Sequence, residues 1–131
     1  MTQNDKPEIG VQPRTGHDVG RAAHDKPVFV YATFPSLIDA ENIAGALVDA
    51  ALAACVNILP GMISIYRWEG ARHRDAEVVA IVKTTTARVQ EVVAEIRARH
   101  SYSNPAIAVL PVEGGSEPFF EWIAEQTRTR S

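Results

Sequence analysis

The chain carries one cysteine in 131 residues. No disulfide can form within it, and the lone thiol suits a reducing compartment. It also lacks an excess of positive charge. Thirteen basic residues face sixteen acidic ones, a net charge of −3, so no global field draws in nucleic acid or an anionic membrane. Long apolar runs are missing as well, because each stretch ends early at a charge or a proline, which argues against a membrane-spanning helix. The first residues have no apolar core of the kind a secretory signal needs. Together these absences predict a cytoplasmic protein with neither nucleic acid nor membrane as partner. Enzyme signatures are absent too: there is no phosphate-binding loop, no Gly-x-Ser-x-Gly, no cysteine and histidine at catalytic spacing and no His-Glu-x-x-His. The expectation is a binding or assembly protein that needs no cofactor.

A hydrophobic content of 46% over 131 residues suffices for one domain. Residues 1–26 stand apart. Asn4, Asp5, Lys6, Pro7, Gly10, Pro13, Gly16 and Gly20 leave too little apolar surface to offset the entropy of ordering. The segment reads as a disordered tail ahead of a folded domain over 27–131.

Within that domain, Val28 to Phe34 reads as a strand. Ser36 is placed to cap a helix running to about Ala51, with Leu37, Ala40, Ala44, Leu47 and Ala51 on its inner face. Ala54 to Leu59 and Ile63 to Trp68 read as strands broken at Pro60-Gly61, followed by a turn over Gly70 to Arg74. Asp75 to Thr84 is the longest strand pattern. Thr85 or Thr86 is expected to cap a second helix that buries Val89, Val92, Val93 and Ile96. Ile107 to Leu110 gives a last strand, and Ser116 with Pro118 opens a third helix. The order βαββαβ plus a trailing C-terminal helix is the α+β ferredoxin-like sandwich.

Such a sheet carries both crossover helices on one face. Its other face should then be polar if it meets water. Here both faces are apolar: Val79 and Ile81 alternate with Val78, Ala80 and Val82, and Phe29 and Tyr31 with Val28, Val30 and Ala32. A second cover is therefore expected, namely another copy of the chain.

Several residues carry candidate chemistry. Cys55 offers a soft thiolate for copper, against burial as a small hydrophobe. His100 follows the second helix, where it is either a ligand or a cap for free carbonyls. Asp75 and Glu77 lie two apart on one strand face, so they either bind a hard divalent cation or act as edge charges. Lys83 shares that face. Tyr66, Trp68 and Tyr102 are either packing anchors or the walls of an inter-subunit cleft for a small amphipathic ligand.

The run Ala54-Cys55-Val56-Asn57-Ile58-Leu59-Pro60-Gly61, then Tyr66-Arg67-Trp68-Glu69-Gly70, Asp75-Ala76-Glu77, Lys83-Thr84, His100-Ser101-Tyr102-Ser103-Asn104-Pro105 and Phe120-Glu121-Trp122-Ile123 closely resembles the CutA family of divalent-cation tolerance proteins. The resemblance covers about Pro27 to Arg128. It implies a non-catalytic homotrimer linked to tolerance of divalent metal ions, with copper(II) or another divalent cation as the ion it would bind. A signalling trimer similar to the PII regulators, with a small molecule between subunits, is the alternative. Where the family pattern has a proline after the histidine and an acid after Pro105, this chain has Ser101 and Ala106.

Overall fold

A computed structural model describes residues 25–128. The expected tail therefore lies outside the described residues up to residue 24. The elements are β1 (Pro27–Phe34), α1 (Leu37–Asp49), β2 (Cys55–Trp68), β3 (Ala71–Thr85), α2 (Val89–Arg99), β4 (Ile107–Pro111) and α3 (Glu117–Gln126). They form a four-stranded sheet of order β2-β3-β1-β4, every neighbouring pair antiparallel. This is the ferredoxin-like arrangement expected from the element order.

The main core lies between the sheet and helices α1 and α2. Val30, Ala32, Phe34, Val78, Ala80 and Val82 meet Ala40, Ile43, Leu47, Val92 and Ile96 there. Full burial of Phe34, Leu47 and Ile96 contributes about 2–3 kcal/mol for each side chain. Ser36 caps α1 as expected, its Oγ accepting from the Asp39 N–H at 3.2 Å. Leu37 is instead 43% exposed, and Ile43 takes its place on the inner face. The helix closes in a Schellman motif: the Leu52 N–H donates to the Leu47 carbonyl and the Ala51 N–H to that of Val48. Ala51 holds the left-handed position, with φ 58°, that glycine usually fills.

Three local expectations are corrected. Pro60-Gly61 does not divide two strands, because β2 runs through it and Leu59 pairs with Val79 while Met62 pairs with Glu77. Two residues thus oppose one, a bulge with Gly61 at φ 83°. The bulge exchanges the parity of β2, so that Cys55, Asn57 and Leu59 share a face with Met62, Ser64, Tyr66 and Trp68. Next, the turn is not Gly70 to Arg74 but the pair Glu69-Gly70, flanked by Trp68 opposite Ala71. Positive φ at both, 50° and 80°, gives the hairpin turn whose twist matches that of its strands. Finally, neither Thr85 nor Thr86 caps α2. Thr85 is buried in β3 opposite Pro27, and the helix N-cap is Arg88, whose guanidinium meets Glu91 at 2.8 Å.

The second sheet face carries Phe29, Tyr31, Val79, Ile81 and Lys83. Helix α3 packs against β3 and β1 and brings Phe119 beside Lys83. Val79 is buried, but Ile81 is half-buried, while Leu59 and Leu110 are 50% and 41% exposed. Beyond the bulge, β2 and β3 continue as a two-stranded arm past the edge of the core. Its side chains stay largely exposed, including Ile65 at 66% and Trp68 at 62%. Among the described residues no helix is long and apolar enough to cross a membrane.

Candidate functional site

The arm and the loop after α2 enclose a cleft of about 740 Å³, lined by Thr33, Pro35, Tyr66, Trp68, Asp75, Ala76, Glu77, Tyr102, Asn104 and Ala106. Each wall follows from a local rule. The parity change at the bulge puts Tyr66 and Trp68 on the same side as Asp75 and Glu77. The tight Glu69-Gly70 turn keeps the two strands in register, so the Tyr66 hydroxyl donates to an Asp75 carboxylate oxygen. Tyr66 also stacks on His73, its cross-strand partner, with centroids 5.5 Å apart. That hydrogen bond, followed by desolvation and the negative charges of Asp75 and Glu77, raises the Tyr66 pKa above its ordinary 10.0. Glu77 makes no hydrogen bond or ion pair among the described residues.

The opposite wall is set by His100. Its Nδ1 accepts from the Tyr102 N–H at 3.0 Å, and its Nε2 lies 2.7 Å from the Thr33 carbonyl oxygen. A nitrogen that accepts carries no proton, so Nε2 bears the hydrogen and donates it to Thr33. The ring is further held between Phe34, at 4.9 Å, and Tyr102, at 5.0 Å. Both nitrogens are therefore engaged in joining the loop to β1. The Thr33 N–H closes the same junction on the Ala106 carbonyl at 3.3 Å.

The sequence-expected residues divide between two places. Tyr66, Trp68, Asp75, Glu77 and Tyr102 converge on the cleft, with His100 behind its wall. Cys55 and Lys83 do not: they sit opposite each other as the first pair of the β2-β3 ladder, at the far end of β2 from the arm. The Lys83 ammonium donates to the Asn57 side-chain carbonyl and lies 5.6 Å and 5.7 Å from the ring centres of Phe29 and Phe119. No three of the histidine, cysteine, aspartate and glutamate side chains among the described residues are grouped to hold a metal ion. Thr33, Pro35 and Asn104 are cleft residues that sequence reasoning passed over. Only the register, and not any local pattern, brings them to the arm. Ala106, where the family pattern has an acid, lines the cleft, so this wall has no carboxylate at that position.

Residues 28–126 match the family model described as CutA1 divalent ion tolerance protein. The chain belongs to this CutA1 family. It is 44% identical over 98 residues to a divalent-cation tolerance protein CutA of Thermus thermophilus, covering 75% of this chain and 95% of that one. With the chloroplastic protein CutA of Arabidopsis thaliana it shares 38% identity over 101 residues, 77% of this chain and 56% of the relative. The chain thus spans little more than half the length of the plant relative. A solved structure of a periplasmic divalent cation tolerance protein CutA from Archaeoglobus fulgidus superposes with a TM-score of 0.74 at 43% identity, covering 78% of this chain and 99% of that one. The CutA1 assignment fits the ferredoxin-like sheet and the long β2-β3 arm alike, since the match runs through both.

Proposed function

We propose that this CutA1 chain acts without catalysis, as a cytosolic homotrimer in the tolerance of divalent metal ions, copper among them. The observation that supports it is the arm. A two-stranded hairpin is marginal on its own in water, and this one projects Ile63, Ile65, Tyr66 and Trp68 from the core at 41–66% exposure. Packing against other copies would bury Ile63 and Ile65, on the arm face away from the cleft, together with Leu59, Ile81 and Leu110 on the second sheet face. In this reading Asp75 and Glu77 offer oxygen to a divalent cation. Cys55 contributes only where assembly brings the thiols of several copies together, and His100 only by giving up one of its two hydrogen bonds.

The cleft favours a second reading, a signalling trimer similar to the PII regulators that takes a small molecule beside the arm. Its volume and its mixed aromatic and carboxylate walls suit a small ligand. Native mass spectrometry of the full chain with and without copper(II) tests both. A threefold mass that gains whole copper equivalents, lost in Asp75→Asn or Cys55→Ser, supports the first reading. A threefold mass that stays bare leaves the second. Ile81→Asp, on the half-buried second face, is expected to give the monomer mass, and a parent-like trimer from that variant would overturn the packing argument.

A further inference from the structure

The cleft between the arm and the loop after α2 is one-sided in charge. Its lining includes the carboxylates of Asp75 and Glu77 and the rings of Tyr66, Trp68 and Tyr102, and among the described residues it includes no lysine, arginine or histidine. The arm does have arginines, but Arg72 and Arg74 alternate with Ala71, His73 and Asp75 along β3 and so belong to its other face. The three rings are 41%, 62% and 47% exposed; Tyr66 has one face on His73 and Tyr102 packs beside His100, whereas Trp68 has no ring partner among the described residues. Aromatic faces are electron-rich and attract cations of low hydration. A small inorganic cation fits less well. A hard divalent ion seeks six or more oxygens, whereas the described residues bring only two carboxylates to the cleft and one of them already accepts the Tyr66 hydroxyl. The raised Tyr66 pKa reports the same negative field and keeps that hydroxyl a donor.

We infer that the cleft binds an organic ammonium cation, its alkylated nitrogen among Tyr66, Trp68 and Tyr102 and its charge answered by Glu77 and Asp75. The inference deepens the small-molecule reading and rests on it. The site divides the work. Tyr66 holds Asp75 at a set position, Glu77 supplies the carboxylate without a partner among the described residues, and the Trp68 and Tyr102 rings line the cleft from two different elements. His100 acts here as a positioning residue, since it ties the Tyr102 backbone to β1. Asn104 and Thr33 add neutral polar groups at the margin, suited to a hydroxyl or amide elsewhere on the ligand.

The test uses proton NMR of tetramethylammonium titrated with the full chain, beside two probes of similar shape, neutral tert-butanol and anionic pivalate. Ring currents should move the tetramethylammonium methyl signal upfield saturably, and the other two probes should not bind. Trp68→Ala and Glu77→Gln are each expected to weaken binding about tenfold, the scale of one cation–π contact or one charge partner. Arg97→Ala, in a separate groove, should leave it unchanged. Equal binding of tert-butanol would overturn charge recognition. No saturable shift, or an unchanged affinity in Trp68→Ala, would overturn the site. Displacement of the probe by stoichiometric calcium or copper would show an inorganic cation site and also refute the inference. Native mass keeps the two claims apart. A trimer without probe binding refutes the cleft ligand alone, and a monomer that binds the probe refutes the assembly alone.

Discussion

Replacing His100 with alanine should destabilise the fold with no metal present. The side chain joins the loop after α2 to β1 through two hydrogen bonds, 2.7 Å to the Thr33 carbonyl and 3.0 Å from the Tyr102 N–H. It also stacks at 4.9 Å on Phe34, a core residue that is 1% exposed. Each hydrogen bond contributes about 1 kcal/mol net, and an aromatic pair adds about 1 kcal/mol. The summed loss is about 3 kcal/mol. Urea unfolding followed by tryptophan fluorescence measures it, with chelator present and protomer concentration held constant because assembly couples to stability. Two partial replacements grade the effect. His100→Asn retains an acceptor near the Tyr102 N–H, and His100→Gln a donor that reaches toward Thr33, so both should fall between parent and alanine. A ligand histidine predicts the reverse pattern: parent-like stability in chelator and loss only of the stabilisation that added cation brings. An alanine variant within about 0.5 kcal/mol of the parent, below the usual net value of one hydrogen bond, would refute the joining role.

Two further outcomes follow from local geometry. Ala51→Gly should stabilise the chain by about 1 kcal/mol in the same urea experiment, because Ala51 sits at φ 58° where a Cβ is penalised. Because the folded Tyr66 pKa is raised, its contribution to stability is fully present below the ordinary value of 10.0 and is lost as pH rises through the raised one. Absorbance at 295 nm should show its titration moving down in Asp75→Asn, with Tyr66→Phe identifying the signal. A Tyr66 titration unmoved by that change would refute the hydrogen bond as its main cause.

Element order was legible because hydrophobic period and capping chemistry are local. Ser36 caps α1 where it was expected, and Glu95 pairs with Arg99 on α2. What failed was local too, but with the decision taken elsewhere. Pro60-Gly61 reads as a break, yet β3 supplies a continuous partner across it, and the extra residue is absorbed as a bulge. Ala71 to Arg74 has no strand pattern of its own and becomes strand because the two-residue turn sets it opposite Ile65 to Trp68. Thr85 looks like a helix cap but is kept in β3 by its pairing with Pro27.

For the site, the chain by itself determined which groups are available: two carboxylates two residues apart on a strand, and aromatic residues on either side of the second helix. Alternation with period two placed Asp75 and Glu77 on a common face without any structure. Only the tertiary structure decided that Tyr66 and Trp68 share that face, since the bulge reverses strand parity between Leu59 and Met62. It also decided that Tyr102, far along the chain, closes the opposite wall, and that His100 spends both nitrogens holding it there. The reason is physical. Periodicity is a property of each strand alone, whereas register, bulge and loop docking depend on which partner each backbone hydrogen bond finds.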